Sequence, residues 1–169
     1  PDDPSGAVLA ELRKRNHPLE IIGPERPAMR FGDAALEILW PPADPPFPLD
    51  ANNSSLVVRV RYAGVSILLT GDIGPPVQQW LVDHADVAAD VPLLPHHGGT
   101  EANRGPFIAA VNPRYVIRSS SQRTEPDQDP LAPLLAGRRL FHTADVGAVT
   151  VTIDRTGLHI AGFRTGASP

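Results

Sequence analysis

Residues 55–84 read SLVVRVRYAGVSILLTGDIGPPVQQWLVDH, and this stretch decides the fold class. From Ser55 to Tyr62 apolar and basic residues alternate, which is the period of a strand with one buried face. Ala63-Gly64 supplies a turn, and Val65-Ser66-Ile67-Leu68-Leu69 returns as a second strand of a hairpin-like pair. After Gly71-Asp72, Pro75-Pro76 open a helix that carries Val77, Trp80, Leu81 and His84 on one side. Toward the C-terminus, Val91-Pro92-Leu93-Leu94 is a third strand that runs directly into Pro95-His96-His97-Gly98-Gly99. Phe107 to Val111 predicts a short helix, Tyr115-Val116-Ile117 a strand, and Leu131, Leu134 and Leu135 another short helix. Strands and helices alternate from residue 55 to 140, the pattern of a layered α/β sheet packed by helices.

The flanks are less regular. Asp3-Pro4 starts a helix through Val8, Leu9 and Leu12, stopped by Asn16-His17-Pro18. Leu19 to Ile22 and Leu36 to Leu39 read as short strands, whereas 41–53 holds too many prolines for regular structure and is a loop. Leu140 to His142, Ala148 to Ile153 and Leu158 to Ala161 form a strand-rich tail, and 164–169 is expected to be flexible.

Composition narrows the chemistry. The 169 residues carry a formal charge of -4, which argues against holding nucleic acid by bulk charge alone. A local basic strip through Arg59, Arg61, Arg104, Arg114, Arg118 and Arg123 is one reading; a solvated face with acidic partners is the other. With 41% hydrophobic residues there is material for a core, and no apolar run reaches the ~20 residues of a membrane-spanning helix. The absence of Cys excludes disulfides, thiolate metal sites and a cysteine nucleophile, so a metal would be held by His and carboxylates. The chain opens on Pro1 without an initiator Met, which predicts one domain or a piece of one from a longer protein.

Two segments place reactive groups at strand ends, where α/β folds put ligands. In Leu68-Leu69-Thr70-Gly71-Asp72 an apolar strand ends in a carboxylate, which either serves a site or caps the helix that follows. In Leu93-Leu94-Pro95-His96-His97-Gly98-Gly99 a buried strand ends in two imidazoles, which are metal or substrate ligands or plain turn residues. Two such ends converging on one sheet edge raise the case for a metal or hydrolytic site. His17, His84, His142 and His159 read as structural.

Taken in order, Asn52-Asn53-Ser54-Ser55-Leu56-Val57-Val58, Leu68-Leu69-Thr70-Gly71-Asp72-Ile73, Leu94-Pro95-His96-His97-Gly98, Asn112-Pro113 and Thr143-Ala144-Asp145-Val146-Gly147-Ala148 follow one family. The chain resembles the C-terminal metallo-β-lactamase-like domain of the ComEC DNA-internalisation (competence) proteins, from its first helix to about Ile153. The resemblance implies a four-layer αββα sandwich, here its C-terminal part, with 1–169 a single partial domain. It also implies a site for two divalent metal ions, zinc or manganese, with Asp72 the bridging ligand and His96 or His97 a later one. Asn53, Ser54 and Asp145 would be polar groups at the mouth of that site. The implied activity is hydrolysis of nucleic-acid phosphodiester bonds during DNA internalisation. The implied partners are single-stranded DNA, an N-terminal half of the domain and the membrane channel of a bacterial inner-membrane parent protein, on a side of the membrane the sequence leaves open.

The principal His-x-His-x-Asp-His motif of this fold, or its Asp-containing variant, is absent here. A catalytic zinc needs about three protein ligands and a metal pair needs more. Asp72 with one or two His is therefore half a site, which predicts that the chain alone does not bind a metal pair tightly. The competing readings are a catalytically inactive, structural or DNA-guiding module and a lactamase-fold hydrolase of small esters.

Overall fold

The computed structural model describes residues 4–18, 20, 22–123, 125 and 128–164. Its elements are α1 (Pro4–Lys14), β1 (Met29–Phe31), β2 (Ala34–Trp40), β3 (Val57–Tyr62), β4 (Val65–Leu69), α2 (Pro75–His84), β5 (Val91–Pro92), α3 (Gly105–Val111), β6 (Tyr115–Arg118), β7 (Arg139–His142), α4 (Thr143–Val146), β8 (Val149–Asp154) and β9 (Gly157–Gly162). Two 3-10 turns, Pro95–Gly98 and Thr100–Ala102, lie between β5 and α3. The class is mixed α/β, as the alternation predicts.

The alternating segment builds the centre of the sheet. β1 to β4 form an antiparallel ladder, in which Val58 faces Leu69 and Val60 faces Ile67 across the β3–β4 hairpin. β5 then adds in parallel to β4 through Ile67 opposite Val91. A parallel bridge from Leu93 to Ile117 joins this sheet to the parallel pair β6–β7. Four strands thus run the same way, and their C-terminal ends share one edge.

Alternate residues of these strands serve opposite faces. Leu68 and Val116 pack with Ile73, Val77 and Leu81 from α2 and its approach, and with Phe107, Ile108 and Val111 of α3, forming the larger core. Their neighbours Ile67, Tyr115 and Ile117 face the other way, against Val149, Val151, Leu158 and Ile160 of the β8–β9 hairpin. The result is a helical layer, a sheet and a second β layer. In α1, Val8 and Leu9 are exposed and Leu12 is half-buried.

The loop 41–53 has no helix or strand, as its prolines predict, yet it is anchored. Phe47 and Leu49 pack on the larger core, Trp40 stacks on Phe47, and Trp40 Nε1 donates to the Asn53 carbonyl at 2.7 Å. Three expectations change. Leu19 and Ile21 lie outside the described residues, but Glu20 and Ile22 are in no strand, a segment enclosed by Pro18, Pro24 and Pro27. Residues 131–137 form successive turns instead of a helix, although Leu131 and Leu135 are buried in the core. The basic strip is broken at three of its six arginines, which meet acidic partners as the other reading expects. Arg59 is buried, donating to Glu37 at 2.6 Å and to Asp86 at 3.0 Å, Arg61 meets the same two carboxylates, and Arg118 is buried on Asp129. Of the expected 164–169 tail, only Arg164 is among the described residues.

Candidate active site at the parallel strand ends

The edge where β4, β5, β6 and β7 end gathers the motif residues. Here Gly71, with φ +57°, turns the chain after β4, and a Cβ on it would lie 2.6 Å from Ser55 Cβ. Ser55 Oγ accepts the Asp72 N–H at 3.1 Å, and Asn53 Oδ1 accepts the Gly74 N–H at 2.9 Å. Asp50 holds Asn53 in turn through its backbone N–H at 2.7 Å and its side-chain amide at 3.1 Å. The capping role open to Asp72 in the sequence therefore falls to Asn53, at the residue that precedes α2, and no side chain caps α2 at its own N-cap. The Asp72 carboxylate is left at the surface.

The His-His-Gly segment is bonded to this turn. His96 N donates to the Gly71 carbonyl at 3.1 Å. His96, His97 and Gly98 all have left-handed backbone, with φ of +48°, +56° and +76°. Two consecutive non-Gly residues in that region cost about 1–3 kcal/mol each, a strain that concentrates at functional sites. Gly98 in the third place is obligatory on two counts, since a Cβ there would fall 2.7 Å from Arg118 Cγ. Arg118 itself is buried, pairing with Asp129 at 2.9 Å with both side chains 9% exposed.

The two imidazoles differ in their bonds. His97 Nδ1 donates to the Ser119 carbonyl at 3.1 Å, which places the proton of a neutral ring on Nδ1 and makes Nε2 the nitrogen that would carry its lone pair. That Nε2 lies 3.7 Å from Asp72 Oδ1, with both side chains open to solvent at 65% and 41%. The separation is too long for a hydrogen bond. It does suit two donors of one cation, because ligands at about 2.0–2.2 Å that subtend a tetrahedral or slightly wider angle stand roughly 3.4–3.7 Å apart. His96 Nδ1 is instead approached by the Asn52 amide at 3.5 Å, and its ring stands edge-on to His97. Among the described residues no three His, Cys, Asp or Glu side chains gather into a metal-binding group.

The chain is 35% identical over 74 residues to the competence protein ComA of Neisseria gonorrhoeae, covering 43% of this chain and 11% of that one. It is 32% identical over 95 residues to ComE operon protein 3 of Bacillus subtilis strain 168, covering 56% of this chain and 12% of the relative. By sequence, the chain is ComEC-like. It is also 32% identical over 119 residues to the uncharacterized protein YcaI of Escherichia coli K12, covering 67% of this chain and 16% of that one. The ComEC-like chain thus spans between 11% and 16% of the length of these relatives. No family model matches it. A looser structural likeness, TM-score 0.43 at 13% identity over 70% of this chain and 69% of the other, is to a protein of Thermotoga maritima described as a Zn-dependent hydrolase of the metallo-β-lactamase superfamily.

Of the residues expected near the site of this ComEC-like chain, Asp72, His96 and His97 come together. The Asn53 side chain lies in the same cluster but is taken up by Gly74 and Asp50. Ser54 Oγ donates to the Ala51 carbonyl within its own turn. Asp145 stands at the end of β7, 3.5 Å from Arg123 and 3.3 Å from His142. The residues that sequence reasoning missed are Ser55, which fixes Asp72 from behind, and Ser119, whose carbonyl orients His97. Among the described residues no helix is long and apolar enough to cross a membrane.

Proposed function

We propose that this chain supplies Asp72 and His97 as two ligands of a metal centre in a ComEC-like hydrolase domain that cleaves nucleic-acid phosphodiester bonds. The observation that carries the reading is the His97 Nε2 to Asp72 Oδ1 pair. Its members come from different strand ends, each is fixed from behind by a hydrogen bond to the next motif, and they stand at the separation of two donors to one cation. Similarity to proteins named for competence supports the nucleic-acid assignment. Among the described residues, those at the site fit two positions around one ion and fall short of the set a metal pair requires. The remaining ligands, and the pair of zinc or manganese ions, belong to the domain completed by residues outside this chain. When bound, such metals lower the pKa of a coordinated water and stabilise developing charge on phosphoryl oxygens. What the chain's own residues do is position donors: Ser55 holds the Asp72 backbone, Ser119 sets the His97 tautomer, and Gly71 ties the two segments together.

The shortage of ligands favours a second reading, a DNA-guiding module of the same kind of parent protein without catalysis. One experiment separates them. In the full-length gene product, Asp72→Asn and His97→Ala should each lower bound zinc or manganese at least 10-fold and abolish metal-dependent cleavage of single-stranded DNA, with His96→Ala affecting both less. Unchanged metal content and cleavage in Asp72→Asn would remove Asp72 from the centre. No metal-dependent cleavage by the parent protein, with strand binding retained, would establish the guiding module.

A further inference from the structure

Next to the His97–Asp72 pair, two cavities adjoin along the ends of β6 and β7. One, of about 430 Å³, is lined by His96, His97, Gly99 and Ser119 to Gln122. The other, of about 530 Å³, shares Ser119, Ser120 and Ser121 and continues to Arg123, Thr143 and Arg164. Together they make one open trough that begins at the imidazoles and ends at two guanidinium groups.

The far end is held in an unusual way. Arg123 Nε donates to the Ala144 carbonyl at 3.3 Å and Arg164 Nη1 donates to the same oxygen at 3.2 Å. Two cations are thus brought to one neutral acceptor. The carboxylate that answers them is Asp145, 3.5 Å from Arg123 Nε, while Arg164 has no carboxylate partner among the described residues. Positive charge is left over at this spot on a chain whose formal charge is -4. Each guanidinium carries about five N–H donors, so one bond to Ala144 fixes the group and leaves most of its fork for an anion. Between the arginines and His97 the wall is polar. Ser120 Oγ accepts the Gln122 N–H, and the Ser119 and Ser121 hydroxyls make no hydrogen bond among the described residues. The backbone beneath them is rigid, because Thr143 Oγ1 donates to the Ser120 carbonyl at 2.8 Å and accepts the Ser120 N–H at 3.0 Å.

We propose that this trough binds the phosphates of a nucleic-acid strand, with Arg123 and Arg164 fixing a phosphate away from His97 and Asp72 and the serine wall guiding the backbone toward them. The inference deepens the nucleic-acid reading above and rests on it for the direction of the strand. A small free anion would need one compact pocket. An elongated open trough with its charge at one end suits a strand, whose backbone contacts position it without reading sequence.

The test is fluorescence anisotropy of a labelled short single-stranded oligothymidylate with the 169-residue chain in EDTA, across a salt series. Metal removal makes the result independent of whether Asp72 and His97 hold an ion. Arg123→Ala and Arg164→Ala should each weaken binding about 5- to 10-fold and reduce the slope of log K against log salt by about 0.7. Arg123→Lys should keep the slope, since the charge remains. Should Arg164→Ala lower the melting temperature, Arg123→Ala, at a side chain 68% exposed, carries the test alone. Wild-type affinity and slope in Arg123→Ala would overturn the proposal. So would saturation of the chain by inorganic phosphate without measurable strand binding, which would assign the trough to a small anion.

Discussion

Two His–Asp pairs stand at the ends of neighbouring strands, and their difference shows how surroundings set a residue's role. His97 and Asp72 are exposed, 3.7 Å apart, and the His97 ring is tied by Nδ1 to a backbone carbonyl so that Nε2 faces the carboxylate. His142 and Asp145 are closer, 3.3 Å, but the imidazole is only 5% exposed and its Nε2 is buried without a partner. Burial, and then the charge of Arg118, hold the His142 pKa below the ordinary imidazole value. The first pair presents a donor to solvent. In the second only the Asp145 carboxylate, 55% exposed, reaches solvent, while the His142 ring serves the packing beneath the β6–β7 edge.

Arg118 is the element that sets the pairs apart, lying beside His142 across the β6–β7 register and under Gly98 of the other pair. Removing it should have the largest effect. Arg118→Ala strands the buried Asp129 carboxylate and should cost about 3–5 kcal/mol in a denaturant melt. A loss below about 1 kcal/mol would show that Asp129 finds water or another partner.

Asn53→Ala strikes the exposed pair from behind. It deletes the bond to the Gly74 N–H and the side-chain amide bond to Asp50, leaving the backbone bond to Asp50 in place, and should lower stability by about 1 kcal/mol, the usual worth of a helix-start side chain. It should also weaken metal retention in the full-length product, because the Asp72 turn loosens. Unchanged metal content with lowered stability would confine Asn53 to the fold.

The smallest effect sharpens the buried pair. With its folded pKa depressed, His142 takes up a proton more readily in the unfolded chain. Stability therefore falls as pH falls from about 6.5 toward the lower folded pKa and levels off below it. His142→Gln should flatten that limb. Asp86 and Asp154, lowered chiefly by the Ala88 N–H and the Thr156 hydroxyl, lose their stabilisation only at pH below about 4, so the two windows separate. A limb near pH 6 that persists in His142→Gln would assign it to another group.

The strand ends were legible because they combine an apolar run with an abrupt polar stop. Leu68 to Asp72 and Leu93 to His97 announce both the sheet and the edge where the candidate site residues stand. The clamp behind Asp72 was not, because Asn53 and Ser55 act from a proline-rich loop through bonds to backbone N–H groups, which leave no periodicity. The depth of the arginines was not legible for a related reason. Alternation at Arg59 and Arg61 predicts a face but not its depth, and a guanidinium met by carboxylates on neighbouring elements is buried where an unpaired one would be solvated. Leu131 and Leu135 have helical spacing and reach the core from consecutive turns, since burial needs only that they face the same way.

Gly98 rests on the Arg118 stem with no room for a methyl group, so the surface imidazoles and the interior ion pair move as one mechanical piece. A fault anywhere along that interior pair is therefore transmitted as a misaimed ring at the surface. Substitutions tens of atoms from the exposed carboxylate, invisible to any map of what touches a ligand, should register as changes in how well the edge holds one.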